Sequence, residues 1–191
     1  LSIHTAKEGH KTFGAHTPYD VYLLRKQTPT TWTRIKFADG RQGEYHPQRW
    51  PFIPNSMIDF WVGAFNTKGP YLEVHQGGTH GPDKKHCQKK WDSEHPHTFI
   101  QKMGPIPELW FSSKPHKHQD IQKIVFRDQG LSHAQINSSG CGSHTYYVLS
   151  ESQDLLDFFR SDRYKKIAAS VTFGHRQIPY KPLCYLPLSL L

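Results

Sequence analysis

The feature that most restricts this fold is the brevity of its apolar runs. "DVYLLRK", "TWTRIKFA", "MIDFWVGAF", "YLEVHQ", "TFIQKM", "ELWFSS", "DIQKIVFRD" and "HTYYVLS" span only six to nine residues each and end at Gly, Pro, Ser, Asn or Asp clusters. Such runs, rich in β-branched and aromatic side chains, suit strands. One segment, "SESQDLLDFFRSDRYKKIAAS", carries a helical stripe through Leu155, Phe158, Phe159, Ile167 and Ala168. Ser150 and Gln153 read there as a capping box, with acidic residues early and basic residues late, as the helix dipole favours. The expectation is an α+β fold over residues 1–191 as a single domain, with a predominantly antiparallel β-sheet and one C-terminal amphipathic helix over about 151–168.

Within that frame, residues 20–44 read as a meander with a turn at "DGRQG", and Pro47, Pro51 and Pro54 mark a covering loop. "MIDFWVGAF" and "YLEVHQ" read as a hairpin across "NTKGP". Residues 77–97 form a long polar loop without periodicity, and the proline-rich, leucine-rich tail after 172 is expected to pack in extended form over the core.

Composition narrows the partner. The chain has 24 Lys and Arg against 16 Asp and Glu, a formal charge of +8, and 14 histidines that add charge below neutral pH. A polyanion is the natural partner: DNA or RNA first, an acidic glycan or an anionic membrane surface otherwise. No run approaches the roughly 20 apolar residues of a membrane span. Cys87, Cys141 and Cys184 are far apart in sequence and odd in number, which argues against a disulfide framework and for an intracellular, cytoplasmic or nuclear, protein. The sequon Asn137-Ser138-Ser139 points the other way. Neither G-x-x-x-x-G-K-[ST] nor G-x-G-x-x-G occurs, so no nucleotide cofactor is expected, and H-E-x-x-H and G-x-S-x-G are also missing.

Four constellations carry chemistry. In the first, Asp59 and Glu73, fourteen residues apart on the expected hairpin, would hold a divalent metal (Mg or Zn), with His75 beside the attacking water or phosphate. Residues 59 to 75 resemble the strand pair of the PD-(D/E)xK nuclease core, with His75 where that family has lysine; the resemblance implies metal-dependent phosphodiester hydrolysis. Parity decides it: Asp59, Glu73 and His75 share a face only if paired residue numbers sum to an even value. Otherwise Glu73 and His75 are the polar face of an edge hairpin. In the second, His75, His80, His86 and Cys87, with His95 and His97 beyond, are alternative zinc ligands, although no recurrent zinc spacing occurs. In the third, Lys84, Lys85, Lys89, Lys90 and Trp91, continued by His116 and His118, offer phosphate contacts and a stacking ring. In the fourth, Cys141 and His144 lie in a glycine turn that explains them without catalysis.

These features favour a nucleic-acid-binding protein and a nuclease, acting through a divalent metal or through histidines as general acid and base. The alternatives are a non-catalytic β-rich nucleic-acid or glycan binder, and a secreted or structural interaction protein.

Overall fold

The computed structural model describes residues 2–4, 10–11, 19–21, 32–46, 50–127, 133–172, 178 and 180–191. Two sheets organise them. The smaller contains β1 (Ser2–His4), β2 (Tyr19–Val21), β3 (Thr33–Lys36) and β4 (Gln42–Tyr45) in the order β2-β1-β3-β4, with β1 and β3 parallel. The β3–β4 hairpin closes where "DGRQG" predicts a turn, with Gly40 at φ 84°, a value that favours glycine. Most of the run from Tyr22 onward in the expected meander lies outside the described residues.

The larger sheet is built on one strand. β5 (His75–Gln76), β6 (Cys87–Gln88), β7 (His97–Lys102), β8 (Glu108–Ser112), β9 (Lys123–Arg127), β10 (Gln135–Asn137) and β11 (Gly140–Val148) run in the order β10-β9-β11-β7-β8-β6, with β5 also paired to β11. The first half of β11 pairs in parallel with β7, from Gly140↔Phe99 to His144↔Lys102, with one extra residue between Cys141 and His144. Its second half pairs antiparallel with β9 on one side and β5 on the other. A bulge at the changeover bends a strand and increases its twist, and here β11 leaves one neighbour for another. The glycines of "GCGSH" and "GG" permit this: a Cβ on Gly77 would lie 2.3 Å from the Gly142 carbonyl oxygen, and one on Gly140 would lie 2.9 Å from the Cβ of His116.

Alternation along β11 then divides its side chains. Tyr146 and Val148, with Ile124 and Phe126 of β9, face a core covered by α1 (Ile58–Asn66), α2 (Gln153–Arg160) and α3 (Asp162–Val171). Phe126 stacks on Phe159 with ring centroids 4.3 Å apart. Trp61, fully buried, packs edge-on to Phe52 and donates its indole N–H to the Ser170 hydroxyl at 2.7 Å. On the opposite face Tyr147 joins Ile100, Met103, Val125 and Cys141.

Five expectations need correction. "MIDFWVGAF" is not a strand: Ile58, Trp61 and Ala64, spaced three apart, turn one helical face into the core, and this burial outweighs the β propensity of the aromatic residues. The single helix over 151–168 is two. Ser161, extended at ψ 156°, donates its hydroxyl to the Phe158 carbonyl and accepts from the Tyr164 N–H, ending α2 and starting α3. Ser150 is not the cap; Ser152 is, accepting from Leu155 N–H. The sheets are mixed, because β1 with β3 and β11 with β7 run parallel. The tail does cover the core with Leu183 and Leu186, but through α4 (Tyr180–Leu183) as well as extended chain. None of the described helices is long and apolar enough to cross a membrane.

Candidate functional site

The Tyr147 face of the sheet is where histidines gather. The β5–β11 register sets His75 opposite Tyr147, and the rings stack with centroids 5.0 Å apart. The loop after β8, "SKPHKHQD", returns His116 and His118 to the same ring at 5.5 Å each. His118 stands edge-on to His75 at 5.4 Å. Behind them His80 lies 5.4 Å from both His116 and His86. Five histidines and one tyrosine, drawn from four segments, thus form a continuous chain of rings.

Hydrogen-bond chemistry assigns the ring nitrogens. His80 Nε2 lies 3.0 Å from the Lys114 carbonyl, which only accepts, so Nε2 carries the proton and Nδ1 accepts from the Thr79 hydroxyl at 3.0 Å. His116 Nδ1 accepts from the His118 backbone N–H at 3.1 Å. His118 Nδ1 is 2.9 Å from the Tyr147 hydroxyl. That hydroxyl both donates and accepts, so the bond survives in either protonation state of His118. His75 Nε2 is buried without a hydrogen bond, although the Glu73 carboxylate lies 3.4 Å away.

Burial and charge disfavour protonation of His80, His116 and His118. His116, 5 % exposed, has its pKa pushed down to about 4 by desolvation, aided by His80, Lys123 and His118. Desolvation also lowers His80. His118 is lowered by desolvation and by the charges of Lys117, His75 and Lys123, against an opposing pull from Glu73. Burial raises the Tyr147 phenol to about 12, so it stays protonated. Cys141 is likewise raised to about 12, which leaves a thiol without nucleophilic character beside the glycine turn. All three cysteines are free.

Among the residues singled out by sequence, Glu73 and His75 do lie together on the outward side of an alternating segment, with Leu72 and Val74 buried behind. Asp59 is elsewhere. It projects from the first turn of α1, its side chain 88 % exposed, and binds Arg41 of the β3–β4 turn at 2.6 Å. With α1 in place of a strand, the parity argument for a shared face has no hairpin to act on. Of the alternative zinc ligands, His80 and His86 are neighbours, while His80 already engages both ring nitrogens and His75 sits against His118 and Tyr147. No group of three or more His, Cys, Asp or Glu among the described residues is arranged to hold a metal ion.

The basic run projects from the same end of the sheet. Asp92 organises it, accepting from the Gln88 side chain and from the Glu94 and His95 N–H groups, with His95 Nδ1 at 2.8 Å. Lys84 pairs with Asp83 and Lys89 with Glu108, whereas Lys85, Lys90 and Trp91 project outward, Trp91 at 63 % exposure. Tyr147 and Lys123 carry no motif in the sequence. Their only signal is position: Tyr147 alternates with the core residues Tyr146 and Val148, and Lys123 opens a strand whose next three residues are apolar.

Comparison with protein-family models, with curated proteins and with solved structures finds no match for this chain.

Proposed function

We propose that the protein is a nucleic-acid-binding ribonuclease that works by histidine acid and base catalysis. The observation that carries this reading is the pair His75 and His118, from distant segments, in edge contact with each other and both packed on Tyr147, at one end of the histidine cluster. A hydroxyl hydrogen-bonds to the His118 ring and a carboxylate stands 3.4 Å from His75 Nε2, neighbours of the kind that paired acid and base catalysts use.

With Nε2 turned to Glu73, His75 offers the lone pair of Nδ1 as base. His118, when protonated, gives Nδ1–H to the Tyr147 oxygen and Nε2–H to the substrate as acid. RNA supplies its own nucleophile, already tethered beside the phosphorus, so two proton transfers suffice. His75 takes the proton of a ribose 2′-hydroxyl, and the 2′-oxygen bonds to the adjacent phosphorus. The bond to the 5′-oxygen breaks, and that oxygen receives the proton of His118. The products are a 2′,3′-cyclic phosphate and a 5′-hydroxyl. The excess of basic residues attracts the phosphate backbone, and Lys85, Lys90 and exposed Trp91 offer phosphate contacts and a stacking surface.

The test incubates the protein with a labelled oligoribonucleotide and its all-deoxy counterpart, with and without a chelator. RNA cleaved to cyclic phosphate ends in chelator, no DNA cleavage, and losses of about 10²- to 10⁴-fold in His75→Ala and His118→Ala support the reading. Retention of RNA without cleavage leaves the non-catalytic binder. Cleavage abolished by the chelator returns the case to a metal-dependent reaction.

A further inference from the structure

Lys123 opens β9 with no exposed surface at all. A charge so placed is costly unless its hydrogen-bonding capacity is met. Here all three ammonium hydrogens are used, donated to the backbone carbonyls of His118 at 2.8 Å, Ile121 at 2.9 Å and Ser138 at 3.1 Å. These acceptors are peptide dipoles of the loop that presents the histidines and of the turn entering β11. The same loop folds around the ammonium: Gln119 N–H reaches the His116 carbonyl, and Asp120, at φ 63°, reaches the Ser138 carbonyl. A left-handed non-glycine residue is strained and persists where its surroundings over-determine it. The carbonyls of His118 and Ile121, which flank Asp120, converge on Lys123.

We infer that Lys123 is a positioning residue, an internal cation that folds the 116–121 loop around itself and so sets His118 against the Tyr147 hydroxyl and the His75 ring. This rests on the histidine-pair reading above. Simple core stability does not account for the residue, because an apolar side chain of similar length would fill the site without a charge to desolvate. The loop instead needs a donor of three hydrogen bonds at one point, which among side chains only an ammonium supplies from a single atom.

Its charge has a second consequence. The groups facing His118 are Tyr147 from β11, His75 and Glu73 from the β5 segment, His116 and Lys117 on its own loop, and Lys123 from β9. The positive charges among them make the protonated ring a stronger acid, and Glu73 opposes them. Removing Lys123 therefore loosens the ring and makes it hold its proton to higher pH.

The experiment uses the full chain with ¹⁵N-labelled histidine as wild type, Lys123→Met, Lys123→Arg and Lys117→Met. It reads the tautomer and titration of the His118 ring by NMR, alongside the pH profile of oligoribonucleotide cleavage. Lys123→Met should move the His118 titration and the alkaline limb of cleavage upward, replace the single Tyr147-bonded ring state with a mixture, and slow cleavage about 10²-fold. Lys117→Met should move the titration upward and keep the ring state. Lys123→Arg should hold the titration near its wild-type position but disturb the ring state and lose part of the rate, since a guanidinium cannot place three hydrogens from one atom. A folded Lys123→Met protein with wild-type His118 titration and ring state overturns the inference. If that variant does not fold, wild-type ring state and rate in Lys123→Arg overturn it. A wild-type protein that leaves RNA intact defeats the nuclease reading, while the ring spectra still decide the role of Lys123.

Discussion

Gly77→Ala tests the architecture where it is tightest. A Cβ at residue 77 would stand 2.3 Å from the Gly142 oxygen and 2.7 Å from the Cys141 carbonyl carbon and oxygen. All three are main-chain atoms of β11, so no side chain can swing aside. To reach even 3.0 Å the two backbones must part by roughly 0.7 Å. β11 cannot retreat freely, because Gly142 is itself packed closely against Gln101 and the Ile100 carbonyl. Overpacking of this kind costs about 1–3 kcal/mol, and at about 2–4 °C per kcal/mol for a chain of this size the melting temperature should fall by roughly 2–12 °C. The neighbour provides the control, since a Cβ at Gly78 meets nothing within 4 Å. Gly78→Ala should be neutral or slightly stabilising, because it restricts the unfolded chain. The displacement also carries His75 away from Tyr147, and RNA cleavage should drop about 10²-fold. Thermal unfolding followed by circular dichroism reads the first effect. Melting temperatures for the two variants that agree within about 1 °C would refute the close-approach argument.

Three further outcomes follow from the site. Tyr147→Phe removes the partner of His118 Nδ1 but keeps the buried ring, so cleavage should fall about tenfold with stability changed by less than about 1.5 kcal/mol; an unchanged rate would deny the hydroxyl its orienting role. Trp91→Ala on the exposed loop should weaken single-stranded RNA binding by about 1–3 kcal/mol, measured by fluorescence anisotropy at fixed salt, without altering the unfolding midpoint. Equal affinity would show that no base stacks there. The third concerns pH. His116 falls from an ordinary 6.5 to about 4 on folding, so the unfolded chain binds the proton more readily. Its contribution is complete above about pH 6.5 and drains as pH falls toward 4, by up to about 3 kcal/mol, with His80 acting in the same direction. Urea midpoints at pH 7 and pH 4.5 should differ accordingly. In His116→Asn, whose side-chain oxygen can still accept the His118 N–H, the difference should shrink; equal midpoints in the wild type would contradict the buried neutral ring.

Much of the local architecture was legible in one dimension. The β3–β4 turn, the strands within "TFIQKM", "ELWFSS", "DIQKIVFRD" and "HTYYVLS", and the outward side shared by Glu73 and His75 follow from alternation and turn chemistry, which act between residues close in sequence. Where a local signal had to compete with packing, it failed. The aromatic run at 57–65 reads as strand by propensity, yet Trp61 finds its pocket and its Ser170 acceptor only when the run is helical. The break at Ser161 was hidden because the apolar stripe continues across it, and only the hydroxyl's two bonds reveal the stop.

The chemistry divides along the same line. Sequence alone determined that the chain is basic and rich in histidine, with an affinity for polyanions as the natural expectation, since charge and residue type need no fold to be counted. Which histidines come together was decided by the tertiary structure. It set Asp59 on a helix against Arg41, brought His75 and His118 together across three intervening strands, and packed both on a tyrosine that alternation along β11 directs to the face opposite the main core. Such groupings depend on strand register and on backbone contacts between Gly77 and Gly142, residues 65 positions apart, and no local pattern records a distance of that kind.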